Sequence, residues 1–220
     1  MIKLNNKMKY YCEIVMCVIL FFIQGVNAQN KSQNSDKIKV GVNFGIGTQE
    51  SFPFDSKDYS YDIQFYKIQL NYKLKEYKKW IYEVNAEPSY YLAEHQLLNK
   101  YYVKPEDGDD YLEKREEFTQ KKHINEYVLN LGVIARFKIN KRFSTYALAS
   151  VGPMYSDTDT ERMNAGFAFS DIFGFGVSYK VNKFNLDFRY SIRHVSNLNI
   201  SLPNNGYNSS NIEIGCTYQI

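Results

Sequence analysis

A histidine and a serine two positions apart, His194 and Ser196, are the residue pair best suited to chemistry in this chain of 220 residues. They end a segment whose even-numbered positions are otherwise apolar and whose odd-numbered positions are polar or charged. Such alternation is typical of a β-strand, which sends successive side chains to opposite faces. The imidazole and the hydroxyl therefore share the apolar face, with Cα atoms about 6 to 7 Å apart. At that spacing the imidazole can take the hydroxyl proton while the oxygen attacks a carbonyl carbon.

The start of the chain predicts export. Lysines precede a short apolar run at residues 14–23, and a small residue, Ala28, follows. This order describes a secretory signal peptide over residues 1–28, since a membrane-spanning helix needs about 20 apolar residues. Residues 29–36, rich in Gln, Asn, Ser and Lys, are predicted to be a flexible lead-in.

The composition excludes several functional classes. A net charge of +3 gives no electrostatic reason to expect nucleic acid binding. Cys12 and Cys17 lie in the predicted signal peptide, so the mature chain would keep Cys216 alone, without an internal disulfide or a thiolate metal site. We expect no cofactor and no metal. The 20 Tyr and 15 Phe, with five Pro, favour strands.

Eight strand-like segments, and no helical periodicity of useful length, can be drawn along residues 37–220. The segments are Lys37–Gly47, Ser60–Leu74, Trp80–Leu92, Ile124–Ile139, Phe143–Tyr155, Ala165–Val181, Phe184–Asn197 and Ser209–Ile220. The second slips phase between Phe65 and Tyr66, which predicts a β-bulge. Connections after the even-numbered segments are short and the others are long.

This alternation of connection lengths is typical of outer-membrane barrels, which have short periplasmic turns and long external loops. We predict an all-β protein, an eight-stranded antiparallel transmembrane β-barrel over residues 37–220. A barrel of this size is filled by its own side chains, so function is expected on the loops or the outer wall. The alternative is a soluble lipocalin-like barrel. A soluble barrel gives less reason for charged residues at the strand positions that alternate with the apolar ones. These residues are Arg136, Asp187, Arg189, Arg193 and Glu213.

The distance along the strand indicates where the pair sits in the membrane. About 11 residues separate the turn at Lys183 from His194. A tilted strand crosses the hydrocarbon in about 9–11 residues, so His194 and Ser196 are expected near the polar boundary of the outer leaflet.

The pair is part of a longer motif with a known counterpart. His194–Asn197 (HVSN), followed by Pro203–Gly206 (PNNG), resembles the His-x-Ser-Asn…Pro-Asn-x-Gly signature of PagL-type lipid A deacylases. These are eight-stranded outer-membrane barrels that hydrolyse the ester-linked acyl chain at position 3 of lipid A. The resemblance, strongest from Phe184 to Ile220, implies a carboxylic ester hydrolase in the outer membrane of a Gram-negative bacterium.

The same resemblance implies roles for individual residues. Ser196 would be the nucleophile and His194 its general base. Asn197 matches the residue assigned to the oxyanion hole, where a donor stabilises the charge that develops on the ester oxygen. The second oxyanion position is a glycine in the family and Asn199 here, and its backbone N–H remains able to serve.

The residue that orients the histidine departs from the family pattern. The family has a Glu where this chain has Asn208, which can orient an imidazole but cannot balance its charge. If the sixth and seventh segments pair across a two-residue turn at 182–183, Asp171 lies directly opposite His194. Both side chains then face the lipid, where a carboxylate is costly without a partner. Asn208 and Asp171 are both candidates, whereas Glu213 is expected to face the lumen.

The expected partners are lipopolysaccharide with its lipid A, outer-membrane lipid, and the barrel-insertion machinery. Residues Tyr218–Ile220 resemble the C-terminal signal that such barrels present to that machinery. We expect a monomer or homodimer. The competing hypothesis is a non-catalytic outer-membrane barrel, acting in adhesion or envelope integrity with a decayed hydrolase motif. Asn208 is its best support.

Overall fold

Eight segments of alternating polarity form the strands of a closed antiparallel β-barrel. The computed structural model describes residues 37–220. The strands are β1 (Ile38–Thr48), β2 (Tyr59–Tyr77), β3 (Trp80–Leu97), β4 (Lys122–Lys138), β5 (Phe143–Ser156), β6 (Gly166–Val181), β7 (Phe184–Ser196) and β8 (Tyr207–Gln219). Each pairs with its neighbours in the chain, and β8 pairs with β1 to close the ring. The predicted eight-stranded fold is confirmed.

Four longer connections leave one end of the barrel. We name them loop 1 (residues 49–58), loop 2 (98–121), loop 3 (157–165) and loop 4 (197–206). The predicted signal peptide over 1–28, with Cys12 and Cys17, and the lead-in over 29–36 lie outside the described residues. Between residues 37 and 220 no helix has the length and apolar character needed to cross a membrane.

Loop 2 contains a helix that the sequence did not predict. Helix α1 spans Tyr111–Phe118 and buries none of its residues. A helix without a buried face has no reason to show apolar periodicity, so the sequence offered no signal for it. An ion pair between Lys114 and Asp110, 2.8 Å long, supports its first turn.

The β-bulge predicted between Phe65 and Tyr66 is wrong. Strand β2 alternates without interruption there, with Phe65 buried and Tyr66 exposed, and its register with β3 shifts only later, between Lys73 and Lys75. The sequence pattern changes at this point because the side chains that fill the lumen change from polar to apolar along the barrel. Towards the loops it holds a buried apolar cluster that includes Tyr61, Phe65, Tyr91, Val195 and Tyr207, so inward positions become apolar at that end.

The rest of the lumen is filled by paired charges. Arg189 donates to Glu87 at 2.9 Å and to Glu213 at 3.3 Å, and Lys67 reaches Glu213 at 3.1 Å. Arg193 pairs with Glu126 at 2.8 Å. All four residues of the first network and both residues of the Arg193–Glu126 pair are buried, so the bore is a hydrogen-bonded plug, as predicted.

The outer wall is apolar on every strand. Exposed examples, one from each strand in order, are Val42, Ile68, Leu92, Val133, Val151, Phe173, Phe188 and Ile214. Charged side chains in the lumen and apolar side chains on the outer wall are the arrangement of a membrane barrel, and a soluble barrel has the reverse. The lipocalin-like alternative is therefore rejected.

Removing one charge from the plug is expected to destabilise the barrel strongly. Glu213→Ala leaves the buried Arg189 and Lys67 to share a single carboxylate, Glu87, which Lys67 approaches only to 3.7 Å, at a cost of about 3 to 5 kcal/mol. Urea unfolding of the purified protein in lipid vesicles measures this. Glu116→Ala, on the exposed face of α1, is the control and is expected to change stability by less than about 0.5 kcal/mol. Equal stability of the two variants would refute the account of the plug.

Candidate active site

Strand β7 directs His194 and Ser196 to the outside of the barrel wall. Along β7 the odd-numbered side chains from Asp187 to Val195 are buried in the lumen. His194 is exposed and Ser196 half-buried on the opposite face. The register with β6 and β8 runs without a shift through this part of the strand, so no bulge rotates either side chain inward. The pair stands where β7 ends and loop 4 begins.

His194 lies between the two residues that the sequence left as alternatives. It is the cross-strand partner of Asp171 on β6 and of Asn208 on β8. Its Nδ1 is 2.8 Å from Oδ1 of Asn208. An amide oxygen only accepts, so Nδ1 carries the proton and donates it. In the neutral ring the other nitrogen, Nε2, is then the unprotonated base. Asn208 thus holds the tautomer that a general base requires.

Asp171 occupies the predicted position without touching the imidazole. The pairing of Val181 with Phe184 places Asp171 opposite His194, as counted from the turn. Its side chain is exposed on the outer face, and among the described residues it forms no hydrogen bond or ion pair. Of the two candidates, Asn208 is the one in contact with His194.

The Ser196 hydroxyl has no hydrogen-bond partner within residues 37–220, and neither does Nε2 of His194. The two groups share one face at neighbouring outward positions of a strand, with Cα atoms about 6 to 7 Å apart. Catalytic hydrogen bonds often form only when substrate is bound. The hydroxyl and the imidazole nitrogen are thus both available to each other and to a ligand on the wall.

Asn197 uses its donors to shape loop 4. Its side-chain amide is buried and donates to the carbonyl oxygen of Ser201 at 2.9 Å and to the Ser201 hydroxyl at 3.0 Å. Its backbone N–H donates to Oδ1 of Asn204 at 2.7 Å. In this conformation Asn197 braces the loop, and its oxyanion role stays a prediction.

Asn199 presents a free backbone donor. Ile200 donates its N–H to the Asn197 carbonyl at 3.0 Å, which closes a tight turn with Leu198 at φ +53° and Asn199 at φ +59°. Asn is among the few residues other than Gly that tolerate this left-handed conformation, which accounts for Asn at the family's glycine position. Among the described residues no acceptor binds the Asn199 N–H, so it remains available to an oxyanion.

Position 206 requires glycine because the backbone of loop 4 passes very close to β7 there. Its φ is +61°, and a Cβ there would lie 2.1 Å from the Val195 carbonyl oxygen and 3.5 Å from Cε1 of His194. Only glycine allows the end of loop 4 to pass this close to the imidazole. The last residue of the PNNG motif therefore shapes the floor beside the histidine.

Arg162 of loop 3 clamps the end of loop 4, and the sequence analysis missed it. Its carbonyl accepts the N–H of Asn205 at 2.8 Å, while its guanidinium donates to the carbonyls of Gly206 at 2.6 Å and Asn205 at 3.1 Å. The guanidinium also lies 4.0 Å from the centre of the Tyr59 ring. Local spacing cannot reveal a contact between residues 44 positions apart.

Loss of the Arg162 clamp is expected to slow catalysis without unfolding the barrel. Arg162→Ala frees the segment that packs beside His194, and a small misplacement of reacting groups can cost about 10²-fold in rate. We expect kcat to fall and KM to change little. Arg162→Lys should recover only part of the loss, because lysine lacks the planar fork that reaches two carbonyls. The control is Arg142→Ala in the short turn between β4 and β5. An Arg162→Ala enzyme with normal kcat would contradict this role.

Comparison with known proteins identifies relatives of this barrel. A family model described as lipid A 3-O-deacylase (PagL) matches residues 64–217, which is more than half of the chain. No curated protein sequence matches.

Residues 37–220 contain no cluster of His, Cys, Asp and Glu suited to a metal ion.

Several solved structures are similar to this chain at low identity. Neisserial surface protein A is 13% identical with a TM-score of 0.50, over 83% of this chain and 97% of that one. The outer membrane enzyme PagL is 13% identical with a TM-score of 0.49, over 82% and 99%. Ail, the attachment invasion locus protein of Yersinia pestis, is 11% identical with a TM-score of 0.42, over 84% and 98%. At 13% identity the likeness to Neisserial surface protein A concerns the fold alone.

Proposed function

Because this chain belongs to the lipid A 3-O-deacylase (PagL) family, we propose that it hydrolyses an ester-linked acyl chain of lipid A, with Ser196 as the nucleophile and His194 as the general base. The protein is an outer-membrane β-barrel of a Gram-negative bacterium. The observation that carries the proposed mechanism is the outward-facing imidazole whose Nδ1 donates to Asn208, leaving Nε2 free to accept a proton.

The first half of the reaction forms an acyl-enzyme. The Ser196 oxygen attacks the ester carbonyl carbon while its proton passes to Nε2 of His194. Negative charge develops on the carbonyl oxygen, and the free N–H of Asn199 is an available donor in loop 4. The tetrahedral intermediate then collapses, the bond to the sugar oxygen breaks, and His194 returns the proton to that leaving oxygen.

The second half releases the fatty acid. Water, deprotonated by the same imidazole, attacks the acyl-enzyme carbonyl and frees the Ser196 hydroxyl. Throughout the cycle His194 alternates between neutral and charged forms. Asn208 keeps the ring orientation in both forms, because Nδ1 carries a proton in each. The carboxylate of Asp171, on the adjacent strand about 5 Å away at Cβ, is the only acid beside the imidazolium on the outer face of the described residues.

The placement of the pair suits a lipid substrate. About 11 residues separate His194 from the short turn at Lys183, close to the length of a strand that crosses the hydrocarbon. We propose that the pair lies at the polar boundary of the outer leaflet. Ester bonds of lipopolysaccharide lie at that depth, next to the water that the second half-reaction consumes.

Mass spectrometry of lipid A tests this function in cells. Expression in a Gram-negative host with unmodified lipid A is expected to remove one hydroxyacyl chain, and expression of Ser196→Ala is expected to leave lipid A intact. Intact lipid A with the wild-type protein folded in the outer membrane would refute the proposed activity. The non-catalytic barrel would then be the better account. Equal deacylation by Ser196→Ala would refute the proposed nucleophile.

A further inference from the structure

Loop 1 folds down against the outside of the barrel wall. The carbonyl oxygen of Phe52 accepts hydrogen bonds from the Tyr190 hydroxyl at 2.9 Å and from the Ser210 hydroxyl at 2.8 Å. Tyr190 on β7 and Ser210 on β8 both belong to the outward-facing parity of their strands. Ser210 is nevertheless buried, because loop 1 covers it. The tip of this loop therefore lies on the face that carries His194 and Ser196.

The position of loop 1 is built by specific internal bonds. Gln49 is completely buried, and its side-chain amide donates to the Ser56 carbonyl at 3.0 Å while accepting the Ser56 N–H at 2.9 Å. The same amide donates to the Tyr59 carbonyl. At the tip, the Phe54 N–H donates to the Ser51 carbonyl at 3.0 Å. These bonds tie both arms of the loop together and hold its tip against the wall.

The tip of loop 1 borders the strip of wall next to the catalytic pair. Ile192 is the outward-facing residue adjacent to His194 on the side away from loop 4. Its cross-strand partners are Phe173 on β6 and Ser210 on β8, and Ser210 carries the backbone of Phe52. Ile192 is half-buried between the exposed Phe173 on one side and loop 1 on the other, and we call this strip of wall the trough.

Phe52 is left bare at the edge of this trough. Its side chain is 87% exposed, and burying a phenylalanine is ordinarily favourable by about 1.5 to 3 kcal/mol. A single exposed apolar residue is unremarkable. Here, however, the hydrogen bonds from Tyr190, Ser210 and Gln49 anchor the loop that presents Phe52, and the loop lies on the apolar outer wall of the barrel.

The occupant that fits the trough is the acyl chain that the catalytic pair cleaves. With its ester carbonyl at Ser196, the hydrocarbon tail has an apolar route along the wall, over Ile192 and beside Phe173, towards the middle of the bilayer. We propose that loop 1 is an acyl-chain guide, in which Phe52 and Phe173 flank the chain of the bound lipid A and select its length. This inference rests on the proposed deacylase activity and assigns the element that recognises its substrate.

Kinetics of Phe52→Ala test the guide. With lipid A in mixed vesicles, we expect KM to rise about tenfold and kcat to stay within about twofold, because the contact is made equally in substrate and transition state. Discrimination between analogues that differ only in the length of the cleaved chain should weaken. The matched control is Tyr127→Ala, an aromatic side chain 56% exposed on β4, the strand opposite β8 in the ring. It is expected to leave KM unchanged.

The anchors of loop 1 provide a second variant that leaves Phe52 in place. Tyr190→Phe combined with Ser210→Ala removes both hydrogen bonds to the Phe52 carbonyl. If Phe52 acts from this position, the double variant should also raise KM. If Phe52 merely adds general membrane affinity, the double variant should behave like wild type, and the guide is refuted.

Crosslinking separates failure of the guide from failure of the activity. A photoreactive phenylalanine analogue at position 52, in Ser196→Ala protein, is expected to capture lipid A over phospholipid, whereas the same analogue at position 127 should show no preference. If the wild-type protein does not hydrolyse lipid A, the proposed function is refuted. The crosslinking result still decides whether lipid A occupies the trough. An active wild type with unchanged KM in Phe52→Ala, or equal crosslinking from both positions, refutes the guide.

Discussion

Ser196→Ala is expected to lower kcat/KM for lipid A deacylation by about four orders of magnitude or more. The substitution removes the attacking oxygen, and because this hydroxyl binds nothing else within residues 37–220, the barrel should fold as before. Released fatty acid from purified protein in lipopolysaccharide vesicles measures the rate, with the folded fraction determined in the same preparation. Ser89→Ala, a half-buried serine on β3, is the control.

The histidine should behave as part of the same unit. His194→Ala is expected to cost about as much as Ser196→Ala, and the double variant little more, because an unactivated hydroxyl and a base without a nucleophile are equally ineffective. A double variant whose loss equals the product of the two single losses would indicate that the residues act independently. A Ser196→Ala enzyme of normal rate would end the proposed mechanism.

Asn208→Ala is expected to reduce kcat by about 10² to 10³-fold, while Asp171→Asn should change it by less than about fivefold. Only Asn208 bonds to His194, and losing the group that sets the imidazole tautomer is severe in serine hydrolases. Asp171 lies beside the ring without touching it, so an amide there removes only a screened charge. The measurement is single-turnover deacylation by both variants at matched folded fractions.

Two further outcomes distinguish the remaining interpretations. An Asp171→Asn enzyme as slow as Asn208→Ala would transfer the supporting role to the carboxylate. Asn208→Glu, which restores the residue type of the family resemblance, should retain at least wild-type activity, because a carboxylate accepts the Nδ1 proton through a stronger, charge-assisted bond. If the wild type is inactive and Asn208→Glu becomes active, the motif has decayed and the non-catalytic barrel is correct.

The sequence was sufficient where local rules determine the geometry. The two-residue turn at 182–183 pairs Val181 with Phe184, and uninterrupted alternation then carries the register along both strands to Asp171 and His194. The same parity argument correctly placed Glu213 in the lumen. Strand pairing in a hairpin is set by its turn, and facing follows from the period of two.

The sequence was insufficient where contacts are non-local or where a pattern has two causes. Register made both Asp171 and Asn208 neighbours of His194, but only side-chain geometry shows which one forms the hydrogen bond. The clamp by Arg162 and the docking of Phe52 on Ser210 join loops that are distant in the chain. Around Phe65 the inward-facing residues are apolar because they form a buried cluster, and in the sequence this pattern is indistinguishable from a β-bulge.

Labelling with a lipophilic fluorophosphonate tests whether Ser196 is the activated nucleophile on the outer wall. The protein is embedded in lipopolysaccharide vesicles, treated with the reagent, and mapped by peptide mass spectrometry. We predict one modified residue, Ser196, with loss of deacylation in proportion to labelling and no labelling in His194→Ala. Deacylation that persists in fully labelled protein, or a label that maps to another residue while activity is lost, would contradict it.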